Sequence, residues 1–143
     1  MRKCVLCFLA AALLAAYASA QPSRNAGYGG DWAIETDQSR HGCVIAGQAH
    51  LAAKPNQRDR YDVRLTTHER CTNGDEWRSQ QHCEAIATGQ ALQVTCAIVT
   101  VTPSNYAPDN FSLQRRAPAL LEGVLISSWN IAARWRRSAA FVS

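Results

Sequence analysis

The chain contains 143 residues, of which 47% are hydrophobic and 18% are charged, and its formal net charge is +4. This length and apolar content are typical of one folded domain, and they exclude both a large multidomain enzyme and a disordered, highly charged tail protein. A multi-pass membrane protein is also excluded, because the sequence has a single long apolar run.

Residues 1–20 have the pattern of a secretory signal peptide. Arg2 and Lys3 form a basic start, a short apolar stretch follows, and the small residues 18–20 form the expected cleavage site. The apolar stretch is shorter than the roughly 20 residues that a membrane-spanning helix needs. We therefore expect an exported protein, periplasmic or secreted, with no transmembrane segment after cleavage. Removing Arg2 and Lys3 lowers the excess of positive charge, so no nucleic-acid partner is expected.

The remaining chain is dominated by alternation of apolar and polar residues. Residues 21–30 are polar and glycine-rich, which predicts a flexible N-terminal segment. From residue 31 onward the hydrophobic period is two, as in strands with one buried face. In chain order, the predicted strands cover residues 32–34, 43–51, 61–66, 82–88, 91–102, 111–113, 120–127 and 130–137. Asn73-Gly74 predicts a hairpin turn, but Asp75 could instead begin a single helical turn as its N-cap, and both alternatives stay open.

Seven or eight short strands without a long amphipathic helix predict an all-β fold. The expected architecture is a small antiparallel barrel or sandwich, stabilised by two disulfides. We expect residues 31–137 to form a single β domain and residues 138–143 to form a C-terminal tail.

The cysteine count supports an oxidised, exported protein. Four cysteines remain after signal cleavage, and an even number in an exported chain indicates two disulfides. We expect Cys71–Cys83, which brackets a short excursion, and Cys43–Cys96, which joins two predicted strands. A zinc site formed by Cys71, Cys83 and two nearby histidines, His68 and His82, is the alternative. It is disfavoured because exported cysteines are usually oxidised, so no metal or cofactor is expected.

No motif in the sequence specifies catalysis. The chain lacks the nucleophile elbow, the phosphate loop and the paired-histidine motif of zinc proteases, so we expect a protein that is not an enzyme. Tyr28, in the predicted flexible segment, and Tyr106, in the loop 104–110, are candidate binding residues, because loops on rigid sheets commonly carry recognition. A tyrosine in a proline-flanked loop could instead pack back on the sheet.

The C-terminal strand combines basic and aromatic residues. Alternation places Trp135 on one face and Arg134 and Arg136 on the other. We interpret this strand as a sheet edge that charged side chains protect from aggregation. Contact with an anionic surface is the alternative interpretation.

Two parts of the sequence resemble a known superfamily. Gly30-Asp31-Trp32 opens the first strand, and Arg134 or Arg136 lies in the last strand. This combination resembles the calycins, which include lipocalins, avidins and small bacterial inhibitors of secreted metalloproteases. The resemblance implies a barrel in which Trp32 lies in the floor and one of the two arginines packs over it in a cation–π contact. The length of the chain is more similar to that of the inhibitors than to that of the lipocalins. In those inhibitors the N-terminal segment reaches into the protease cleft, and residues 21–29 are a segment of the same kind.

These observations lead to one functional expectation and two alternatives. We expect an exported, non-catalytic binding module whose partner is another exported protein, such as a secreted or periplasmic hydrolase that it inhibits. The first alternative is a carrier of a small apolar ligand in the barrel interior. The second is a structural protein of the cell envelope.

Overall fold

Eight antiparallel strands form where the sequence alternates. A computed structural model describes residues 27–139, so the predicted signal peptide, residues 21–26 and residues 140–143 of the predicted C-terminal tail lie outside the described residues. In chain order the strands are β1 (Gly30–Thr36), β2 (Cys43–Ala53), β3 (Arg60–Cys71), β4 (Glu76–Thr88), β5 (Ala91–Thr102), β6 (Phe111–Ala117), β7 (Leu120–Leu125) and β8 (Ile131–Arg137). A 3₁₀ turn, Ile126–Ser128, lies between β7 and β8. In the described part of the chain, no helix is long and apolar enough to cross a membrane.

The strands close into a barrel. Each strand pairs with its neighbours in the sequence, and β8 returns to pair with β1. The all-β prediction is therefore confirmed, and of the two expected architectures the barrel is the one that forms. The interpretation of the last strand as a sheet edge is wrong, because β8 is paired on both sides, with β7 and β1. Closure removes the edges that a sandwich would leave open at this strand.

Alternation places one face of every strand inside the barrel. An eight-stranded barrel has an interior about wide enough for side chains to fill. The largest fully buried apolar side chains are Trp32, Trp135, Phe111, Leu51, Leu65, Leu92, Leu113, Leu121, Leu125, Val63 and Val94. Phe111 and Trp135 meet edge to face with ring centroids 5.1 Å apart, a favourable arrangement for aromatic rings. The interior is thus a core of packed side chains.

The β3–β4 hairpin is longer than the sequence suggested. The strands extend to Cys71 and from Glu76, and a tight turn joins them. Gly74 adopts a φ of 93°, a value that glycine tolerates well, and the Asn73 side chain accepts a hydrogen bond from the Asp75 amide at 3.0 Å. Of the two alternatives for this segment, the hairpin forms and the helical turn does not.

Both disulfides form, but the predicted pairing is wrong. The bonds are Cys43–Cys71 and Cys83–Cys96, and in each case the register places the two cysteines directly opposite each other on neighbouring strands. Cys71 cannot reach Cys83 because Cys71 ends β3, whereas Cys83 lies in the middle of β4 opposite Val63. The prediction failed because it treated residues 71–83 as a short excursion, although most of them form strand.

The barrel has two unlike ends, which we call the floor and the loop end. The floor contains the connections 54–59, 89–90 and 118–119 together with the start of β1. The loop end contains the connections 37–42, 72–75, 103–110 and 126–130, which include the longest loop between strands. Long connections on a rigid sheet are where binding residues are commonly found, so the loop end is the expected location of a binding site.

Candidate functional site

Aromatic side chains seal the floor. The ring of Tyr28 is part of the core, since the residue is only 5% exposed. Its amide donates to the Tyr61 hydroxyl (3.3 Å), its hydroxyl donates to the Gly89 carbonyl (3.2 Å), and its carbonyl accepts from the Trp32 indole (2.8 Å). The structure therefore does not place Tyr28 as the exposed binding residue in a flexible segment that the sequence suggested.

Arg137 completes the floor. Its guanidinium lies over the Trp32 ring, 4.4 Å from the centroid, and donates to the carbonyls of Gly29 (2.5 Å) and Gly27 (3.0 Å). Gly30, with a φ of 112°, leaves room for this side chain, because a Cβ at Gly30 would lie 3.0 Å from the guanidinium. The contact ties the start of the described chain to the last strand.

The expectation that Arg134 or Arg136 covers Trp32 is wrong. Both side chains lie on the outer face of β8, where they form ion pairs with Glu35, and Arg134 also donates to Asp37 at 2.8 Å. Side chains alternate along a strand, so Ala133, Trp135 and Arg137 share the inner face. The inward position of Trp135 is the signal in the sequence that identifies Arg137.

A buried carboxylate closes the loop end. Asp109 is 2% exposed and accepts hydrogen bonds from the Thr67 hydroxyl (3.0 Å) and the Gln81 amide (2.6 Å). Its own backbone amide donates to the side-chain oxygen Oε1 of Gln81 at 2.8 Å. Thr67 and Gln81 belong to β3 and β4, so these bonds draw the 103–110 loop into the mouth of the barrel. No pattern in the sequence identified Asp109 as a structural residue.

Tyr106 joins the same polar cluster. Its hydroxyl lies 3.0 and 3.1 Å from the two carboxylate oxygens of Asp109, and its ring is tilted against Trp77 at 6.4 Å between centroids. Of the two alternatives that the sequence left for Tyr106, the structure shows the one in which the ring packs back on the sheet. The cluster holds the loop in one position, while Ser104 and Asn105 remain exposed.

Burial shifts the acid–base properties of this cluster. Desolvation raises the pKa of Asp109, although hydrogen bonds from Gln81, Thr67 and Tyr106 act in the opposite direction. Desolvation also raises the pKa of the half-buried Glu69, and the nearby charge of Asp109 adds to this effect. Burial and the charge of Asp109 raise the pKa of Tyr106, so its hydroxyl remains a proton donor. The three groups together form a hydrogen-bonded acidic cluster inside the mouth.

The alternative zinc ligands are not brought together. Cys71 and Cys83 belong to different disulfides. The His68 ring contacts Glu76 (3.0 Å) and the His82 ring lies 3.7 Å from Asp62, and both carboxylates are exposed. The four residues of the predicted alternative therefore share no coordination site.

Exposed apolar side chains concentrate at the loop end. Five large hydrophobic residues of the described chain are exposed, and four of them, Val44, Val99, Ile126 and Trp129, lie at or near this end. The fifth, Ile86, lies toward the floor on β4. A surface that combines exposed apolar groups with long connections is typical of an interaction site.

Trp129 is the most exposed of these residues and has an unusual backbone. The side chain is 72% exposed, and φ is 62° at Trp129 and 57° at Asn130, both in the left-handed region. A bulky residue adopts this region at an energetic cost, and exposure of the ring returns little burial energy in compensation. Asparagine or glycine would fit the position at lower cost. Backbone strain that is not compensated by burial of the same residue is commonly found at functional sites.

A groove lies beside Trp129. The concave surface has a volume of about 310 Å³, and it is lined by Asp37, Gln38, Ser39, Arg40, Ser128, Trp129, Ile131 and Ala132. The Arg40 guanidinium lies over the Trp129 ring, 4.5 Å from its centroid. Two features hold the Arg40 loop: the Asp37 amide donates to the Ala132 carbonyl (2.9 Å), and the Ser39 hydroxyl accepts from the Cys43 amide (3.0 Å). The groove therefore has preformed walls.

Neither Arg40 nor Trp129 was recognised as a site residue from the sequence. The predicted final hairpin has Trp129 in its turn, and that placement is correct. A tryptophan at a turn position, where small polar residues are preferred, is the signal that could have identified it. Arg40 carries no comparable signal, because its contact with Trp129 joins connections far apart in the chain.

Comparisons with known proteins add little to this description. The chain matches no protein-family model and no curated protein sequence. Among solved structures, a protein described as "De novo design of a fluorescence-activating beta barrel" aligns with 16% sequence identity and a TM-score of 0.49. The alignment covers 78% of this chain and 94% of that chain. The functional conclusion therefore rests on the residues of this chain alone.

Proposed function

We propose that this protein is an exported, non-catalytic binding module that recognises another exported protein through the groove at the loop end. The observation that carries the proposal is Trp129, which is exposed and strained and lies beside a stacked arginine. Tryptophan and arginine are the residues most enriched among those that dominate binding energy at protein interfaces. A preformed groove also lowers the entropy that binding has to overcome.

Two disulfides support export as part of the proposal. Disulfides persist in oxidising compartments and are rare in the cytosol, so they agree with the signal-peptide pattern of residues 1–20. The proposed compartment is the periplasm or the medium. The proposed partner is a secreted or periplasmic hydrolase, which the module inhibits by occupying its surface with the Trp129 groove.

The interior of the barrel weighs against the carrier alternative. The space that an apolar ligand would need is occupied by fully buried side chains, which are the two tryptophans Trp32 and Trp135, Phe111 and the leucines of the core. The floor is sealed by Tyr28, Trp32 and Arg137, and the mouth is filled by the Asp109 cluster. A ligand would have to displace one of these two closures. We propose the outer groove as the binding site for this reason.

The test places a photo-crosslinking amino acid at Gln38, an exposed residue of the groove that leaves Trp129 in place, and, in a matched variant of the same chain, at Ile86. We expect one exported protein to be captured from position 38 and not from position 86. The captured protein is then purified, and its affinity and its enzymatic activity are measured with the unmodified module. Trp129→Asn should weaken binding about 30-fold, the loss expected for a central tryptophan worth about 2 kcal/mol.

The stability of the variant separates binding from folding. Trp129→Asn should unfold at the same temperature as the parent or higher, because asparagine fits the left-handed region better. Ile86→Ala is the control and should leave the affinity unchanged. Equal effects of the two variants on affinity would contradict the groove as the binding site, and binding without inhibition would contradict the inhibitor role.

A further inference from the structure

One strand of the barrel has an open edge. β5 pairs with β4 along its whole length, from the Thr88–Ala91 pair to the Arg78–Thr102 pair. Its pairing with β6 covers only Ala91–Val94. The next amide on that side, Cys96, donates to the Asn110 side chain at 2.7 Å. Among the described residues, no backbone hydrogen bond joins residues 97–102 to a segment on the β6 side.

The 103–110 loop does not cover this edge with backbone hydrogen bonds. The bonds from Asp109 to Thr67 and Gln81 draw the loop into the mouth of the barrel instead. Barrels usually remove their edges by closure, and proteins that keep an edge protect it with lysine, proline or a covering segment. Here the first proline after the strand is Pro103, beyond the open stretch.

The open edge has the composition of a strand that pairs. Residues 97–102 read AIVTVT, rich in β-branched side chains that favour strands. No charged residue occurs between Ala91 and Pro108. Val99 lies at the irregularity in the β4–β5 register, and its side chain is 62% exposed on the outer face. The edge thus offers unpaired backbone groups and an apolar side chain, without charges to repel a neighbour.

We propose that residues 97–102 pair antiparallel with the same residues of a second copy, which forms a two-fold symmetric dimer. The uncharged edge does not select an acidic or basic peptide, because it carries no complementary charge. A second copy has the same uncharged strand, rich in β-branched residues, because its sequence is identical. A two-fold axis then makes the contact self-complementary. The backbone hydrogen bonds of the new ladder give affinity, and the Val99 side chains of the two copies become covered.

This dimer does not depend on the proposed partner of the Trp129 groove. The edge belongs to β5, whereas the groove is formed by the 37–42 and 126–130 connections and β8. The two surfaces can therefore be tested separately.

The test combines sedimentation equilibrium with hydrogen exchange of the parent chain at low and high protein concentration. We expect a concentration-dependent dimer in which those amides of residues 97–102 that are not bonded to β4 exchange at least tenfold more slowly at high concentration than at low concentration. Val99→Lys should produce a monomer at all these concentrations, since two lysines would meet across the two-fold axis. Ile86→Lys, which adds the same charge to an exposed position on the neighbouring strand, is the matched control and should still dimerise.

Three outcomes would overturn the proposal. The first is a parent chain that stays monomeric throughout. The second is a dimer in which the edge-facing amides of residues 97–102 exchange as fast as in the monomer. The third is equal dissociation by the Val99 and Ile86 variants. Val99 is exposed, so the lysine variant should retain the thermal unfolding temperature of the monomer, which confirms that it is folded.

Discussion

At the scale of single residues, position on the inner or outer face decides what each arginine does. Arg137 faces inward, stacks on Trp32 and donates to two backbone carbonyls of the N-terminal segment. Arg136 is its neighbour in sequence but faces outward, where it pairs with Glu35 in solvent. Hydrogen bonds from a charged donor to backbone carbonyls, together with stacking on a buried ring, contribute more than an exposed ion pair.

Replacing Arg137 should therefore destabilise the barrel much more than replacing Arg136. We expect Arg137→Ala to lower the free energy of unfolding by about 2–4 kcal/mol, from the lost hydrogen bonds and the cation–π contact. Arg136→Ala should change it little. Chemical denaturation of the two variants and the parent measures both values. Comparable losses in the two variants would show that Arg137 has no special role in the floor.

At the scale of secondary-structure elements, strand length and register determine the covalent links. Cys43 and Cys71 join the start of β2 to the end of β3, with 28 residues of sequence separation. Cys83 and Cys96 join the middles of β4 and β5, with a separation of 13. Each bond connects strands that are already paired, so its contribution comes mainly from restricting the unfolded chain.

The two disulfides should stabilise the protein by similar amounts. On the loop-entropy model, the Cys43→Ala/Cys71→Ala and Cys83→Ala/Cys96→Ala variants should each lose about 3–4 kcal/mol, with the larger loss for the longer loop. Equilibrium unfolding in urea measures the loss. Peptide mapping without reduction checks the pairing itself, and a fragment containing Cys71 linked to Cys83 would contradict the structure.

Strand register also explains why the disulfide pairing was not predictable from the sequence. The predicted strands were several residues too short at the β3–β4 hairpin, so they did not show that Cys43 lies opposite Cys71.

At the scale of the whole molecule, two groups of carboxylates act in opposite directions on stability. Hydrogen bonds from Arg136 and Arg134 lower the pKa of Glu35 in the folded state. Glu35 therefore stabilises the folded state at pH values above its unfolded pKa, and this stabilisation is lost as the pH falls through the folded pKa. Burial raises the pKa of Asp109 and Glu69, so the folded state loses stability as the pH rises from their unfolded pKa values through the folded ones. These two carboxyl groups of the barrel mouth therefore stabilise the folded state less at high pH than at low pH.

Glu69→Gln should restore part of the stability that the folded state loses at high pH. Glutamine keeps the size and the acceptor oxygen of Glu69 and removes the charge beside Asp109. We expect a thermal unfolding temperature a few degrees higher than that of the parent at about pH 8, and little difference at about pH 3.5, where an ordinary glutamate is protonated. Glu35→Gln is the control of opposite sign and should lower the unfolding temperature at about pH 8. Differential scanning calorimetry at both pH values provides the comparison, and a lower unfolding temperature for Glu69→Gln at about pH 8 would contradict the stated role of burial.

The sequence by itself determined the strands and their faces. Alternation predicted β5 with its observed ends, the inward position of Trp135 and the outward positions of Arg134 and Arg136, because side-chain direction follows directly from a period of two. The positions of Gly89 and Pro103 also marked where strands end. These properties are local, so the sequence contains them.

Only the tertiary structure decided which residues meet. Strand register placed Cys71 opposite Cys43, and closure of the barrel brought Arg137 over Trp32. The fold of the 103–110 loop buried Asp109 and brought the Tyr106 hydroxyl against it. It also placed Arg40 against Trp129 across two connections. A shift of one residue in strand pairing changes every such partner and moves each side chain to the other face. Contacts between distant segments depend on that register, which the pattern along one strand does not specify.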